Sequence, residues 1–170
     1  MSWIREVGGP LTDEQQSVVD GLGALVAWLE PRFLDHGASS AAADDNGLHI
    51  SLVHRTRPDL GIAIEAAGYG EIVVSYGPEH EHFRPDDASV GRVWPFATDD
   101  HLHGALRLVE YLLTGRVELH VWLRPLGVKT RSFWIDDEGK AELFLRGSTV
   151  GPFFGWSREP EIRRFDFTAG

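Results

Sequence analysis

The amino-acid sequence predicts an α+β fold, with antiparallel β-sheet meanders and two main α-helices packed on one face. Two segments repeat apolar residues with the period of a helix, whereas several shorter segments alternate apolar and polar residues with the period of a strand. Turn residues separate most of these shorter segments, which favours antiparallel pairing. The length of 170 residues is typical of one domain, so we assign residues 1–170 to a single domain.

The first helix is predicted over residues 13–30. Thr12, followed three positions later by Gln15, has the pattern of a capping box. Pro31 lacks a backbone N–H donor and crowds the preceding turn, so we expect the helix to stop or kink there. The apolar residues with helical spacing are Val18, Val19, Leu22, Leu25, Val26 and Leu29.

The next part of the chain predicts a meander of three strands. The strands are expected at 48–53, 62–66 and 72–76, with turns at 58–61 and 68–70. Two segments around this meander lack periodicity. Residues 37–46 are rich in Ala, Ser and Asp, and residues 77–97 contain three prolines. Both are predicted to be loops.

A second helix and a second meander complete the predicted fold. Thr98 is the expected N-terminal cap of the helix, and Gly115 stands where its C-terminal cap belongs. The apolar residues with helical spacing are Leu102, Ala105, Leu106, Val109, Leu112 and Leu113. The strands are expected at 117–124, 133–135 and 143–145, with a further edge strand at 162–167.

The composition excludes several classes of protein. The absence of cysteine rules out disulfides, thiolate metal ligands and a thiol nucleophile, and it fits a cytoplasmic location, which we predict. The first residues have no apolar run like that of a signal peptide. No apolar stretch approaches the ~18 to 20 residues that span a bilayer, so we expect a soluble protein without membrane association.

The charge balance indicates the kind of partner to expect. Twenty-six acidic residues against sixteen basic residues give a net charge of −10. Such a chain repels nucleic acid and anionic membranes at long range and attracts a protein with a basic surface. The recurrent acidic doublets have a second interpretation, as solvated surface loops that keep the protein dispersed.

Histidines offer the one candidate metal-binding cluster. On a strand, His80 and His82 would share a face, whereas on a helix His101 and His103 would point in diverging directions. A zinc site would need further ligands, such as His120, brought close by the fold. We therefore predict no metal and expect these histidines to be ordinary surface or hydrogen-bonding residues.

No motif predicts a catalytic or cofactor site. Ser75 and Ser148 lack the Gly-x-Ser-x-Gly context of a hydrolase nucleophile. The glycines at 68–70 and 147–155 lack the lysine of a phosphate-binding loop. We accordingly predict no catalytic residue, no cofactor and no enzymatic turnover.

Aromatic residues in flexible or polar surroundings are the candidate partner-binding residues. The segment 147–156 combines glycines with large aromatic side chains, and Trp122 and Trp134 are predicted opposite the apolar face of their strands. Arginines such as Arg131 lie in the same half of the chain, a combination typical of binding-interface anchors. The predicted partner-binding residues are Phe153, Phe154, Trp156, Trp94, Glu79 and Glu81. The alternative is that the aromatic side chains belong to the core.

Two stretches, GYGEIVVSYGPEHEHF and GSTVGPFFGWSREPEIRRFDF, occur in a chain that is acidic, free of cysteine and of predicted α+β class. In these features the chain resembles the immunity proteins that bacteria encode beside polymorphic toxins. These stretches are similar to those of actinobacterial immunity factors like the one that neutralises the tuberculosis necrotizing toxin, an NAD glycohydrolase. The resemblance implies a protein that docks on a toxin enzyme and occludes its active site.

Two other functions remain open at the level of sequence. The chain could be a small-molecule or metal-binding domain, or an enzyme, that uses the segment around His80 and His82. It could also be a structural subunit that assembles with itself. The oligomeric state is not predicted.

Overall fold

The computed structural model describes residues 10–28, 33–85, 100–124, 127–145, 149–150 and 159–168. These ranges contain two helices, a short 3₁₀ turn and two antiparallel sheets, which confirms the predicted α+β class. The helices are α1 (Asp13–Trp28) and α2 (His101–Leu113). The strands are β1 (Ser40–Asp44), β2 (Gly47–Leu52), β3 (Ile62–Ala67), β4 (Ile72–Tyr76), β5 (Glu79–Phe83), β6 (Thr114–Arg124), β7 (Gly127–Ile135), β8 (Ala141–Leu145), β9 (Thr149–Val150) and β10 (Glu161–Asp166).

The first sheet is a meander of β1 to β5 in chain order. Its three central strands are the ones that alternation predicted, and the expected turns join them. Its inner face is apolar because alternate residues of each strand point to the same side. The buried inner-face residues are Leu48, Ile50, Leu52, Ile62, Ile64, Ala66, Ile72, Val74, Tyr76 and Phe83.

The predictions of loops at 37–46 and 77–97 were wrong in part, because each contains an edge strand of the first sheet. In β1, Ala41 is buried against β2. Because β1 contains three consecutive alanines, its sequence does not show the alternation of apolar and polar residues that identifies a strand. The Asp44 carboxylate accepts backbone N–H groups of Asn46 and Gly47 and closes the β1–β2 turn. In β5, charged residues and histidines hide the alternation, which appears only through pairing with β4. The remainder of the second segment, 86–97, lies outside the described residues.

Helix α1 begins as predicted. The Thr12 backbone N–H donates to the Gln15 side chain at 3.0 Å, and the Gln15 N–H donates to the Thr12 hydroxyl at 3.2 Å. The Gln15 amide also donates to the carbonyl of Ala66, which ties the helix start to β3. The predicted end at residue 30 and Pro31 lie outside the described residues.

Helix α2 begins at a different cap from the one predicted. Asp100, not Thr98, is the N-cap residue, and its carboxylate accepts the Leu102 N–H at 2.9 Å. At the other end Gly115 has a φ of +75°, the left-handed conformation expected after a helix end. The helices cross closely, since a Cβ on Gly21 would stand 2.5 Å from a Leu106 methyl. Thr98 lies outside the described residues.

The second sheet follows directly from α2, because β6 begins at the residue after the helix. Its order is β10-β6-β7-β8, and β9 also pairs with β7. The predicted strand at the C-terminal end is present as β10 at the edge of the sheet. The inner face buries Val117, Leu119, Val121, Thr130, Ser132 and Phe165.

A polar junction joins the two sheets inside the core. Tyr76 of β4 is fully buried, and its ring stands edge-on to Phe165 of β10, with centroids 5.7 Å apart. Its hydroxyl donates to the Ser132 hydroxyl at 3.1 Å. Beside this pair the Thr130 hydroxyl donates to the buried carboxylate of Glu79. These bonds satisfy polar groups that would otherwise be costly to bury.

The position of Trp134 corrects a sequence-based prediction. Trp134 pairs with Val117 and therefore lies on the inner face of the second sheet. Its ring stacks on Tyr111 of α2, with centroids 6.5 Å apart, and packs against the core. Of the two tryptophans predicted opposite the apolar face, only Trp122 lies on the side of the second sheet that points away from the core.

No helix in the described ranges is long and apolar enough to cross a membrane.

Candidate binding face

The structure locates two of the six predicted partner-binding residues. Glu79 was expected at the partner surface, but it is buried between the sheets and bonded to Thr130, so its side chain is not accessible to a partner. Glu81 lies on the same side of β5 and is half-buried. Its contact with a partner stays a prediction. Phe153, Phe154, Trp156 and Trp94 lie outside the described residues.

The candidate metal-binding histidines are dispersed. His80 and His82 lie on the solvent-exposed side of β5, as expected for residues two apart on a strand, and their ring centroids are 5.0 Å apart. His101 instead binds Glu14 of α1 at 2.6 Å, and His103 faces a groove between the helices. Within the part of the chain that the structure describes, no group of three or more metal-ligating side chains is assembled.

The carboxylate of Glu71 organises the segment around His82. Glu71 is buried at the start of β4, where it accepts hydrogen bonds from His82 Nδ1 (2.7 Å), the Tyr69 hydroxyl (2.9 Å) and Arg84 Nε (2.5 Å). These donors stabilise the charged form and lower the pKa of Glu71 from 4.5 to about 2. The cluster therefore links the β3–β4 turn to the end of β5 by hydrogen bonds, which is a structural role.

We expect Glu71→Gln to lower stability in a pH-dependent way. The pKa of Glu71 is lower in the folded chain than in the unfolded chain, so its stabilisation is complete above about pH 4.5 and is lost as the pH falls toward 2. The difference in unfolding midpoint between wild type and Glu71→Gln should therefore shrink over this range in thermal unfolding experiments. Glu138→Gln, at an exposed turn, is the charge-matched control. A Glu71→Gln difference that is constant with pH would contradict this role.

The outer face of the second sheet is the candidate binding face. Alternate residues of four adjacent strands meet there, in the register of the antiparallel pairs. We define the outer face by its residues: Glu118, His120, Trp122, Lys129, Arg131, Phe133, Leu143, Ile162 and Arg164. The opposite side of the same strands is the buried inner face, which fixes the direction of these side chains.

Aromatic rings run diagonally across the outer face. The ring of His120 lies 4.4 Å from that of Phe133 and 6.2 Å from that of Trp122, measured between centroids. Two aliphatic residues extend this apolar area on the flanking strands: Ile162 is 56% exposed and Leu143 is 40% exposed. Exposed apolar side chains grouped with aromatic rings are typical of interaction surfaces.

Cations surround the tryptophan of the outer face. Lys129 Nζ lies 5.1 Å and the Arg131 guanidinium carbon 5.9 Å from the centre of the Trp122 ring, within the range of cation–π interactions. Arg164, by contrast, donates to Glu118 at 2.8 Å. The face thus carries three basic residues and one acidic residue on a chain whose net charge is −10.

A groove between α1 and α2 is a concave feature of the described part of the chain. Its volume is about 480 Å³, and it is lined by Gly21, Ala24, Leu25, His103, Leu106, Arg107 and Glu110. The size is within the range of small-molecule sites. Its lining offers no nucleophile paired with a base, and its polar groups are helix-surface side chains of mixed charge.

Comparison with protein-family models, with curated proteins and with solved structures found no match to this chain.

The outer face was only partly visible in the sequence. The alternation of Glu118, His120 and Trp122 with buried valines and leucine marked one exposed strand face. Its extension across β7, β8 and β10 depends on strand register, which brings Phe133 and Ile162 beside His120. Register follows from turns and long-range pairing, so sequence reasoning did not join these residues into one surface.

Proposed function

We propose that this chain is an immunity-type binding protein that neutralises a cognate toxin enzyme by docking on it and occluding its active site. The outer face of the second sheet is the observation that carries the proposal. It groups aromatic, aliphatic and cationic side chains on one four-stranded surface.

The composition of this face suits tight protein recognition. Aromatic residues and arginine supply much of the binding energy in protein interfaces, and a rigid sheet holds them at little cost in conformational entropy. Trp122 and Phe133 are the two large rings, and Arg131 is exposed beside them. A protein with such a surface can block the active site of an enzyme by covering it, and this requires no catalytic residue.

The resemblance to immunity proteins supplies the class of partner. The resemblance includes the immunity factor of an NAD glycohydrolase toxin, and we propose NAD glycohydrolase activity as the first partner activity to test. The pKa shifts of the described carboxylates fit a binding role. The most strongly shifted carboxylate among the described residues, Glu71, has its pKa lowered by three hydrogen-bond donors within a structural cluster.

Co-expression tests the proposed function. We expect the chain to restore growth and intracellular NAD in bacteria that express a toxin domain encoded beside its gene, and to form a stoichiometric complex with that domain in size-exclusion chromatography. The control is the same host with toxin and an unrelated acidic protein. Absence of both complex and rescue would overturn the proposal, as would NAD hydrolysis by the purified chain itself.

A further inference from the structure

We infer that the partner surface seated on the outer face of the second sheet is acidic and presents carboxylates to Lys129 and Arg131. This inference rests on the proposed function in treating the outer face as a docking surface. It also revises the expectation from net charge, which favoured a basic partner.

The ion pairs of the chain show why these two cations differ from most others. Although acidic residues outnumber basic ones, no carboxylate among the described residues pairs with Lys129 or Arg131. The basic residues within the described ranges that do have carboxylate partners are Arg57, Arg84, Arg116, Lys140, Arg163 and Arg164. Lys129 and Arg131 stand two positions apart on one side of β7 and thus form a local positive site on an acidic molecule.

The contacts of Lys129 and Arg131 with the Trp122 ring favour binding of a carboxylate by these two cations. Both cations lie over its ring, so the aromatic face holds them in place while their polar atoms remain available to a further partner. Exclusion of water by neighbouring apolar groups strengthens charge pairs. Ile162 and Phe133 are the apolar groups that would contact a protein surface around the carboxylate.

The same observations favour a protein over a nucleic acid. A polyphosphate backbone gains affinity by contacts with many cations, whereas the outer face offers few, and Glu118 lies among them. The net charge of −10 repels a polyanion at long range. A folded acidic protein with basic areas elsewhere is not subject to the same repulsion.

The experiment uses the full-length chain and, as the probe, a short peptide with blocked termini that carries two adjacent glutamates among neutral residues, so that long-range repulsion by the net charge of −10 is small. The indole N–H resonance of Trp122, assigned by its loss in Trp122→Phe, is followed by NMR during titration at low salt. We expect this resonance to shift, and we expect Lys129→Glu combined with Arg131→Glu to weaken binding at least about tenfold, because both charge contacts become repulsive. Arg55→Glu combined with Lys140→Glu changes the net charge equally and should retain binding.

Three outcomes would overturn the inference. The first is no shift of the Trp122 resonance with the two-glutamate peptide. The second is an equal loss of binding in the two charge-matched double variants, which would indicate only net charge. The third is tighter binding of a poly-dT oligonucleotide of equal charge, which would assign the face to nucleic acid. Because the probe is not the toxin, failure here is distinguishable from failure of the toxin-rescue experiment.

Discussion

Replacing Tyr76 with alanine is expected to lower the free energy of unfolding by about 3–5 kcal/mol, the range for truncation of a buried aromatic side chain. Tyr76 is fully buried where β4 of the first sheet meets β10 of the second, against Phe165. Its loss would leave a cavity between the sheets and remove the partner of the Ser132 hydroxyl. Domain stabilities are typically about 5–15 kcal/mol, so denaturant unfolding followed by circular dichroism should show a large change.

Tyr76→Phe separates the ring from its hydroxyl. It retains the aromatic packing and should cost only about 1 kcal/mol, the typical net value of a hydrogen bond. Burial raises the pKa of Tyr76 above its ordinary value of 10.0. The unfolded chain therefore releases this proton at a lower pH than the folded chain does, and wild type should lose stability as the pH rises above 10.

The two substitutions of Tyr76 check each other. Tyr76→Phe should lose less stability than wild type over the alkaline range, since phenylalanine has no proton to release. Equal costs for Ala and Phe at neutral pH would contradict the importance of ring packing. An unchanged alkaline transition in Tyr76→Phe would show that another group causes it.

Local chemistry predicted the parts of the fold that depend on neighbours in the chain. The capping box at Thr12 and Gln15 and the left-handed glycine at Gly115 are confirmed, since each requires only a few adjacent residues. The alternation of β2, β3 and β4 was equally clear because their inner residues are large and apolar. Such patterns follow directly from the periods of helices and strands.

Long-range pairing decided the parts that the sequence left uncertain. Strand β5 is polar along most of its length, and it forms because β4 offers a free edge with which Glu79 and Phe83 pair. Burial of Glu79 depends on Thr130, which is 51 residues away. No local signal distinguishes such a carboxylate from a solvated one, and for this reason Glu79 was assigned to the surface.

The faces of the second sheet show the same limit. Alternation around residue 133 suggested that Phe133 and Ile135 faced the core, with Trp134 opposite them. The register with β6 reverses this for Phe133 and Trp134, because Trp134 pairs with the buried Val117 and Phe133 pairs with Glu118. When both faces of a strand carry aromatic residues, hydrophobicity alone does not identify the inner one.

The two tryptophans therefore provide a matched test of the proposed docking face. Trp122→Ala should weaken affinity for the neutralised toxin by about 2 kcal/mol or more, the loss expected for an aromatic anchor, and should leave the unfolding free energy almost unchanged. Trp134→Ala removes the same side chain from the opposite side of the sheet. It should lower stability by about 3 kcal/mol, at the low end for an aromatic truncation because Trp134 is only partly buried.

The measurements are calorimetric titration of the toxin domain and denaturant unfolding on both variants. Trp122 contacts the ring of His120 and the cations of Lys129 and Arg131, all on the outer face, so its truncation removes a contact surface and leaves the core packing intact. Trp134 stacks on Tyr111 of α2, so its truncation disturbs the packing of a helix on the sheet. If Trp122→Ala binds the toxin with wild-type affinity while folded, the outer face is not the docking surface. If both variants lose stability equally, Trp122 contributes to the core, and its assignment as an anchor on the outer face is wrong.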